Sequence, residues 1–248
     1  MSYPRQRVSN PAQARAVYFA QNGSAWSLTG NLLASTLVYM GLYLAVAVAG
    51  AYLSAITGVD EVVAGAGSIV VIPLLGLVFL VSFLLNRAVG HVGRELLLGG
   101  VMMLIMSPIL SLIVASGLAT DPHAVVSAVL AVGGSLVVTA AIAAVSPWDL
   151  SRLGGLAMVG LLGLIVTQVL ALFLAPAMGL VMSPVWSFIG ILVFELYLVV
   201  DLSRIRQAMP YGPNDALAAY IGLGLALDVV NLFIYFLSLF LGGAGRRS

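Results

Sequence analysis

Long apolar runs dominate the chain, and short polar connectors separate them. Each run has about the 20 residues that an α-helix needs to cross a bilayer. The runs lack period-two alternation, and they are about twice as long as the strands of a transmembrane barrel. The pattern therefore predicts an all-α membrane protein, a seven-transmembrane helix bundle. The predicted spans are 32–56, 67–86, 96–115, 124–145, 156–177, 184–203 and 216–241.

The connectors contain turn-forming residues and are too short to hold a soluble domain, as in "MPYGPND" (209–215). We expect a polar cytoplasmic N-terminal segment (1–30), a seven-helix transmembrane domain (31–241) and a short C-terminal tail (242–248). The N-terminal segment is expected to be irregular or an interfacial helix. The first apolar run is longer than the core of a signal peptide, so we expect it to be an uncleaved span.

The arginines predict the orientation, because cytoplasmic loops of membrane proteins carry an excess of basic residues. With seven spans, eight arginines fall on the side of the N-terminus and two on the other side. We therefore expect a cytoplasmic N-terminus and an external C-terminus. The eight are Arg5, Arg7, Arg15, Arg87, Arg94, Arg152, Arg204 and Arg206, and the two are Arg246 and Arg247.

Composition excludes several classes of function. Hydrophobic residues make up 62% of the chain and charged residues 8%, against about 25% charged residues in soluble domains. The net charge of +1 and the absence of a basic stripe argue against a nucleic-acid partner. The chain has no cysteine and two distant histidines, which argues against disulfides and thiolate or histidine metal centres. Its basic residues are all arginines, which is compatible with a high-GC bacterial genome, and we expect it in the inner (plasma) membrane as a multi-pass protein.

Three acidic residues lie within the predicted spans. Glu195 and Asp201 belong to the sixth span and Asp228 to the seventh. An ionisable group at membrane depth costs roughly 2.5 kcal/mol or more and usually faces the bundle interior or a water-filled cavity. An isolated buried carboxyl group takes up a proton, and two neighbouring ones titrate in coupled steps. These three residues are therefore the candidates for function.

A short connector joins the sixth and seventh spans, so these helices should be antiparallel neighbours. If the turn centres on residues 210–213, the levels of Asp201 and Asp228 differ by roughly 8 Å. Pairing is compatible with this spacing but not required by it. Arg204 shares the helix face of Asp201, and Asn231 shares that of Asp228, whereas Glu195 points elsewhere.

Structural explanations compete with functional ones for two of these acids. Asp201 could form a helix-end salt bridge with Arg204 at the cytoplasmic water line. Glu195 could be a neutral acid that donates a hydrogen bond to a backbone carbonyl group. Asp228 has no arginine within seven residues and lies in the middle of its span. It is therefore the strongest functional candidate.

The last two spans carry a family resemblance. The segment "IGILVFELYLVVDLSRIR" (189–206), followed by "AYIGLGLALDVVNLFIYFLSLF" (219–240), resembles the last two helices of the Bax inhibitor-1 family. In that family an aspartate, a short polar run and a basic residue end the sixth helix. The seventh helix carries Asp, two apolar residues, Asn, Leu and Phe. Asp201 and Arg204, and then Asp228 and Asn231, match this order and spacing.

The resemblance implies a seven-helix protein associated with calcium leak and pH sensing. In that picture Asp201 and Asp228 form a proton-sharing pair that gates the path, and the deprotonated pair binds Ca²⁺. Arg204, Asn231 and Glu195 would support the gate. A basic residue after the second span would latch Asp201, and either Asn86 or Arg87 occupies that place. The implied partners are membrane lipid, Ca²⁺, protons and, from the family's bacterial members, a membrane protease, with no cofactor besides Ca²⁺.

Three functions compete on these residues. The first is a pH-sensitive calcium or other cation leak channel or transporter, and the second is a non-conducting regulator or adaptor of a membrane protease or stress response. The third is an intramembrane aspartyl protease, whose catalytic aspartates also lie on helices six and seven. That class has a Gly-x-Gly pattern before its second aspartate, where this chain has Ala226, and a tyrosine where Val200 precedes Asp201. We therefore expect no enzymatic activity.

Small residues in the seventh span suggest close helix packing. Gly222 and Ala226 are four residues apart and could form one small-residue face. Such faces let helix backbones approach each other, because lipid provides no hydrophobic drive for helix association.

Overall fold

The computed structural model describes residues 29–66, 68–88, 90–146, 148–178, 184–212 and 214–244. Across these ranges the chain forms helices and turns and no strand. Most of the predicted N-terminal segment and half of the predicted tail lie outside the described residues. The α-helices within them are α1 (Leu32–Thr57), α2 (Val59–Ala66), α3 (Ser68–Ala88), α4 (Val92–Thr120), α5 (Pro122–Val145), α6 (Gly154–Met178), α7 (Pro184–Ala208) and α8 (Asp215–Ala244).

The prediction of an all-α membrane protein is confirmed. Six described helices, α1 and α4 to α8, are long and apolar enough to cross a membrane. Helix α3 has 21 residues, but its described apolar stretch is the shorter Gly76–Leu85. The count of seven spans therefore stays a prediction. The eight-residue α2 between the first two predicted spans was not predicted.

Local sequence signals explain where several helices begin and end. Asn31 precedes α1, and its Oδ1 accepts a hydrogen bond from the Leu33 amide at 2.9 Å. Gly58 follows α1 with φ of 71°, a left-handed conformation that glycine adopts without steric cost. Asp121 caps α5, which starts with Pro122. Proline suits the first helical position because its missing N–H would have no partner within the helix.

Helix α8 lies at the centre of the bundle and packs against α1, α4, α5 and α7. A Cβ atom on Gly222 would lie 2.9 Å from the Thr36 carbonyl oxygen and 3.0 Å from the Met40 nitrogen. Both atoms belong to the backbone of α1, so no larger residue fits without moving one helix. Ala226, one turn later, is fully buried. The expected small-residue face is therefore confirmed, and it packs α8 against α1.

Candidate functional site

The antiparallel hairpin of α7 and α8 positions the two aspartates. The Ser187 hydroxyl donates a hydrogen bond to the Ser238 hydroxyl at 3.0 Å. Further along, Gly190 faces the Tyr235 ring so closely that a Cβ atom would lie 2.5 Å from it. Near the connector, the Asp201 carboxylate lies over Gly224. These three contacts fix one continuous register along the hairpin.

This register places Asp201 one helical turn closer to the connector than Asp228. Asp201 is level with Gly224, and Asp228 follows Gly224 by one turn along α8. At 1.5 Å per residue the two aspartates differ in level by about 6 Å. This separation is slightly smaller than the roughly 8 Å expected from the connector. Asp201 and Asp228 are close enough to interact electrostatically.

Asp201 forms the salt bridge that was the structural alternative for this residue. Arg204 Nη1 donates to Asp201 Oδ1 at 2.6 Å, and the Asp201 side chain is 9% exposed. Arg204 is 37% exposed, so the pair lies where the end of α7 approaches the bundle surface. Arg204 thus neutralises Asp201, the outer member of the pair, and its support of a gate stays a prediction.

Gly224 leaves room for the Asp201 carboxylate. A Cβ atom on this glycine would lie 2.8 Å from Asp201 Oδ2. Gly222 faces α1 and Gly224 faces α7, so two glycines in one turn bring α8 close to two different helices. The sequence predicted a packing role for Gly222, whereas the role of Gly224 was not predicted.

Asp228 is buried in the bundle and is 6% exposed. Its Oδ2 has no hydrogen-bond partner among the described residues. The charged groups that act on it electrostatically are Asp201 and Arg204. Asn231 shares its helix face, but its Nδ2 donates to the Leu227 carbonyl oxygen at 2.8 Å. Asp228 is therefore a buried carboxyl group with an unsatisfied oxygen.

Glu195 lies apart from the aspartates and faces α5. Its Oε2 accepts a hydrogen bond from the Thr139 hydroxyl at 2.8 Å. The expected hydrogen bond to a backbone carbonyl group is therefore wrong, because Thr139 on the neighbouring helix supplies a donor. The prediction that Glu195 points away from Asp201 is confirmed. The structure thus brings Asp201, Arg204 and Asp228 together and places Glu195 on a different face of α7.

The proposed latch falls on side chains outside the described residues. Asn86 and Arg87 lie in the last turn of α3, and the structure describes their backbone alone. The latch therefore stays a prediction.

Glu95 is a buried acid that the sequence analysis did not single out. It lies in the first turn of α4, where an acid is usually solvated, yet it is 1% exposed. Its Oε1 accepts a hydrogen bond from the Gly90 amide at 2.9 Å, and its Oε2 has no partner in the described part of the chain. Tyr43 contacts the same turn by donating to the Glu95 carbonyl oxygen. Position at a helix end therefore did not imply exposure here.

The aspartate pair offers few oxygen ligands for a cation. Among the described residues, no three acidic, histidine or cysteine side chains cluster as a metal site. Ca²⁺ takes six to eight oxygen ligands. Asp201 and Asp228 would therefore have to share the ion with water or backbone carbonyl groups, which suits transient binding.

Comparison with known proteins agrees with the hairpin pattern. Residues 29–246 match the model of a family described as "Inhibitor of apoptosis-promoting Bax1". No curated protein matches the chain at a significant level. The family match covers all eight helices, including the hairpin that carries Asp201 and Asp228. This multi-pass membrane protein therefore belongs to the Bax inhibitor-1 family.

Proposed function

We propose that the protein is a pH-sensitive leak pathway for cations, with Ca²⁺ as the permeant ion and Asp201 and Asp228 as the gate. The observation that carries the proposal is the Asp228 carboxyl group, buried with one oxygen unsatisfied, one turn from an ion-paired Asp201. A buried carboxylate without a partner is costly, so it binds a proton or attracts a cation. Either event changes the charge at the centre of the bundle.

Arg204 determines the charge balance of the proposed gate. It neutralises Asp201 through the 2.6 Å salt bridge. The protonated state of Asp228 then leaves the group of three side chains neutral, and the deprotonated state leaves one negative charge. We expect that charge to attract cations and protonation to remove the attraction. Cation flux should therefore fall as the pH is lowered.

The proposal includes seven spans, a cytoplasmic N-terminus and a location in the inner (plasma) membrane. The 21 residues of α3 are long enough for a span, which supports the count. With seven spans, the arginine-rich connectors lie on the cytoplasmic side, which supports the orientation. The hairpin connector and the Asp201–Arg204 pair then face the cytoplasm.

Flux measurements in liposomes test the gate. We expect Ca²⁺ flux through the wild-type protein to fall as the pH is lowered, because protonation of Asp228 removes the negative charge that attracts cations. Asp228→Asn should abolish most of this pH dependence, because asparagine keeps the size of the side chain and cannot ionise. Asp201→Asn should also alter the profile, since it leaves Arg204 without its partner.

Asp60→Asn is the matched control. Asp60 is as buried as Asp228, at 6% exposure, but its Oδ2 accepts a hydrogen bond from Ser111 at 2.6 Å. This variant should keep the wild-type pH profile. A flux that ignores pH and both hairpin substitutions would refute the gate and favour the non-conducting regulator. Cleavage of a membrane peptide that is lost in the same variants would instead indicate the protease.

A further inference from the structure

A groove between α5, α7 and α8 contains polar groups that the proposed gate does not use. Its volume is about 610 Å³. The walls are mainly apolar and include Val138, Ile142 and Leu192, which are 59%, 47% and 54% exposed. These exposed side chains belong to α5 and α7, two helices long and apolar enough to cross a membrane, so the groove opens toward lipid. Three polar side chains line it, namely Ser135, Thr139 and Glu195.

The three polar side chains provide hydrogen-bond acceptors on one side of the groove. Thr139 donates to one carboxylate oxygen of Glu195. Ser135 precedes Thr139 by one turn on α5, and its Oγ is buried with no hydrogen-bond partner in the described ranges. Glu195 forms no ion pair with a described residue. The groove thus combines an acid without a counter-ion and a hydroxyl group without a partner.

The depth of Glu195 restricts the ligand. It lies near the middle of α7, between Pro184 and Ala208. At 1.5 Å per residue it is roughly 15–20 Å from either end of α7, and its partner Thr139 is about 9 Å from the end of α5. Glu195 therefore lies below the ends of both helices. The ligand must therefore carry its polar group into the apolar layer.

The chemistry of the groove selects a cationic nitrogen. An anion would be repelled by Glu195, and a purely apolar molecule would leave the three polar groups unused. Ca²⁺ requires more oxygen ligands than this groove presents. A primary ammonium group is a compact cation that carries only donors, which suits the half-buried Glu195 carboxylate that lines the groove. Pairing with a carboxylate also offsets the cost of a charge at membrane depth.

We propose that this groove binds the primary ammonium group of an amine with a long apolar chain. The ammonium group donates to the Glu195 carboxylate, and the chain lies along the apolar walls. This site is separate from the proposed cation gate, because Glu195 faces α5 and Asp228 lies on α8. Failure of either proposal leaves the other intact.

Photolabelling in phosphatidylcholine nanodiscs tests the site. The probe is dodecylamine with a diazirine on its chain, and the comparison probe is the matching alcohol. We expect the amine to label peptides of α5 and α7 that line the groove, as mapped by mass spectrometry. Glu195→Gln should reduce that labelling about tenfold, the loss expected for a charge-assisted hydrogen bond. Asp60→Asn, which lies outside the groove, should label like the wild type.

Two further measurements keep the proposal open to refutation. Amine labelling of the wild type should weaken at acidic pH, because Glu195 is the one titratable residue among those that line the groove, while alcohol labelling should not change. Val138→Trp should fill the groove and reduce labelling by both probes. Equal labelling by amine and alcohol, or labelling by the amine that neither Glu195→Gln nor pH affects, would overturn the proposal.

Discussion

Helices α8 and α6 are both long and apolar, yet α8 lies at the centre of the bundle and α6 at its periphery. Helix α8 contacts four other long helices, whereas α6 packs mainly against α7. In α6, Leu156, Val159 and Leu162 are at least half exposed, and Ala157 and Leu164 are buried. Hydropathy alone therefore does not distinguish the central helix from the peripheral one.

The glycines reveal the difference between these helices. In α8, Gly222 has no room for a Cβ atom against the α1 backbone, and Gly224 has none against Asp201. In α6, Gly155 and Gly163 face open space, with no atom within 4 Å of a Cβ. Gly154 and Gly160 do contact α7, but the neighbouring atoms belong to the side chains of Arg204, Val200 and Val193. At Gly222 the neighbouring atoms belong to a backbone, so only there does glycine decide how closely two helices approach.

Polar contacts at the connector between α5 and α6 attach it to α7, in addition to the packing of α5 against α7 and α8. Arg206 of α7 donates to the carbonyl oxygens of Ala143, Ser146 and Trp148 at 2.7, 2.6 and 3.0 Å. Ala143 lies in the last turn of α5 and Ser146 follows it, at the end of the helix where carbonyl groups lack partners within the helix. Gln207 adds a hydrogen bond to Asp149 just before α6. These hydrogen bonds therefore link the connector between α5 and α6 to the last turn of α7.

The largest loss of stability is expected from substitution of Gly222. Gly222→Ala should lower the free energy of unfolding by about 1–3 kcal/mol, because the added methyl group meets backbone atoms that cannot turn aside. Gly163→Ala in α6 is the control, and it should be neutral or slightly stabilising because alanine favours the helix. Thermal unfolding in detergent measures both. Equal losses from the two substitutions would contradict the contrast between the central and the peripheral helix.

An intermediate loss of stability is expected from substitution of Arg206. Arg206→Met should cost about 1–2 kcal/mol through the loss of hydrogen bonds to three carbonyl groups. Hydrogen exchange should increase in residues 143–153 while α8 keeps its protection. Arg152→Met is the control, since Arg152 is 84% exposed and its ion pair with Asp149 lies at the surface. Faster exchange across α8 in Arg206→Met would mean that the connector also holds the core.

The smallest loss of stability is expected from substitution of Asp149, and it should depend on pH. Burial by itself would raise the pKa of Asp149, but hydrogen bonds from Ser151 and Gln207 and the charge of Arg152 outweigh it, so its pKa lies below the ordinary value. A carboxylate with a lowered pKa stabilises the fold at neutral pH, and this contribution is lost as the pH falls through the folded-state pKa.

Asp149→Asn should therefore lower the melting temperature at neutral pH by less than about 2 °C and make no difference below about pH 3. Melting curves in detergent over this pH range provide the measurement. A difference between variant and wild type that grows toward acidic pH would reverse the expected sign.

The sequence predicted the helices better than the contacts among their polar residues. Apolar run length located the long helices, and the aspartate and asparagine pattern located the hairpin. The salt bridge between Asp201 and Arg204 was foreseen because three residues separate neighbours on one helix face. Contacts between helices distant in sequence, such as Thr139 with Glu195 and Arg206 with Ala143, depend on rotations about the helix axes that hydropathy does not record.

The burial of Glu95 is a second feature that the sequence did not predict. Glu95 lies in the first turn of α4, where an acidic residue is usually exposed to solvent. Gly99 follows it by one helical turn on the same helix face. In the structure, Tyr43 packs so closely on Gly99 that a Cβ atom would lie 2.5 Å from its ring. That contact brings α1 over the start of α4 and covers Glu95. The sequence does not show which aromatic residue faces Gly99, so it could not predict that Glu95 is buried.

The central position of α8 also bears on how the protein is made. Helix α1 ends at Thr57, and α8, which packs against its backbone, begins at Asp215. At synthesis rates of 5–20 residues per second, roughly 10–30 s separate the emergence of the two helices from the ribosome. During that interval the face of α1 that will hold α8 has no permanent neighbour. Assembly in the membrane therefore depends on temporary cover for this face, by lipid or by the insertion machinery, until α8 arrives.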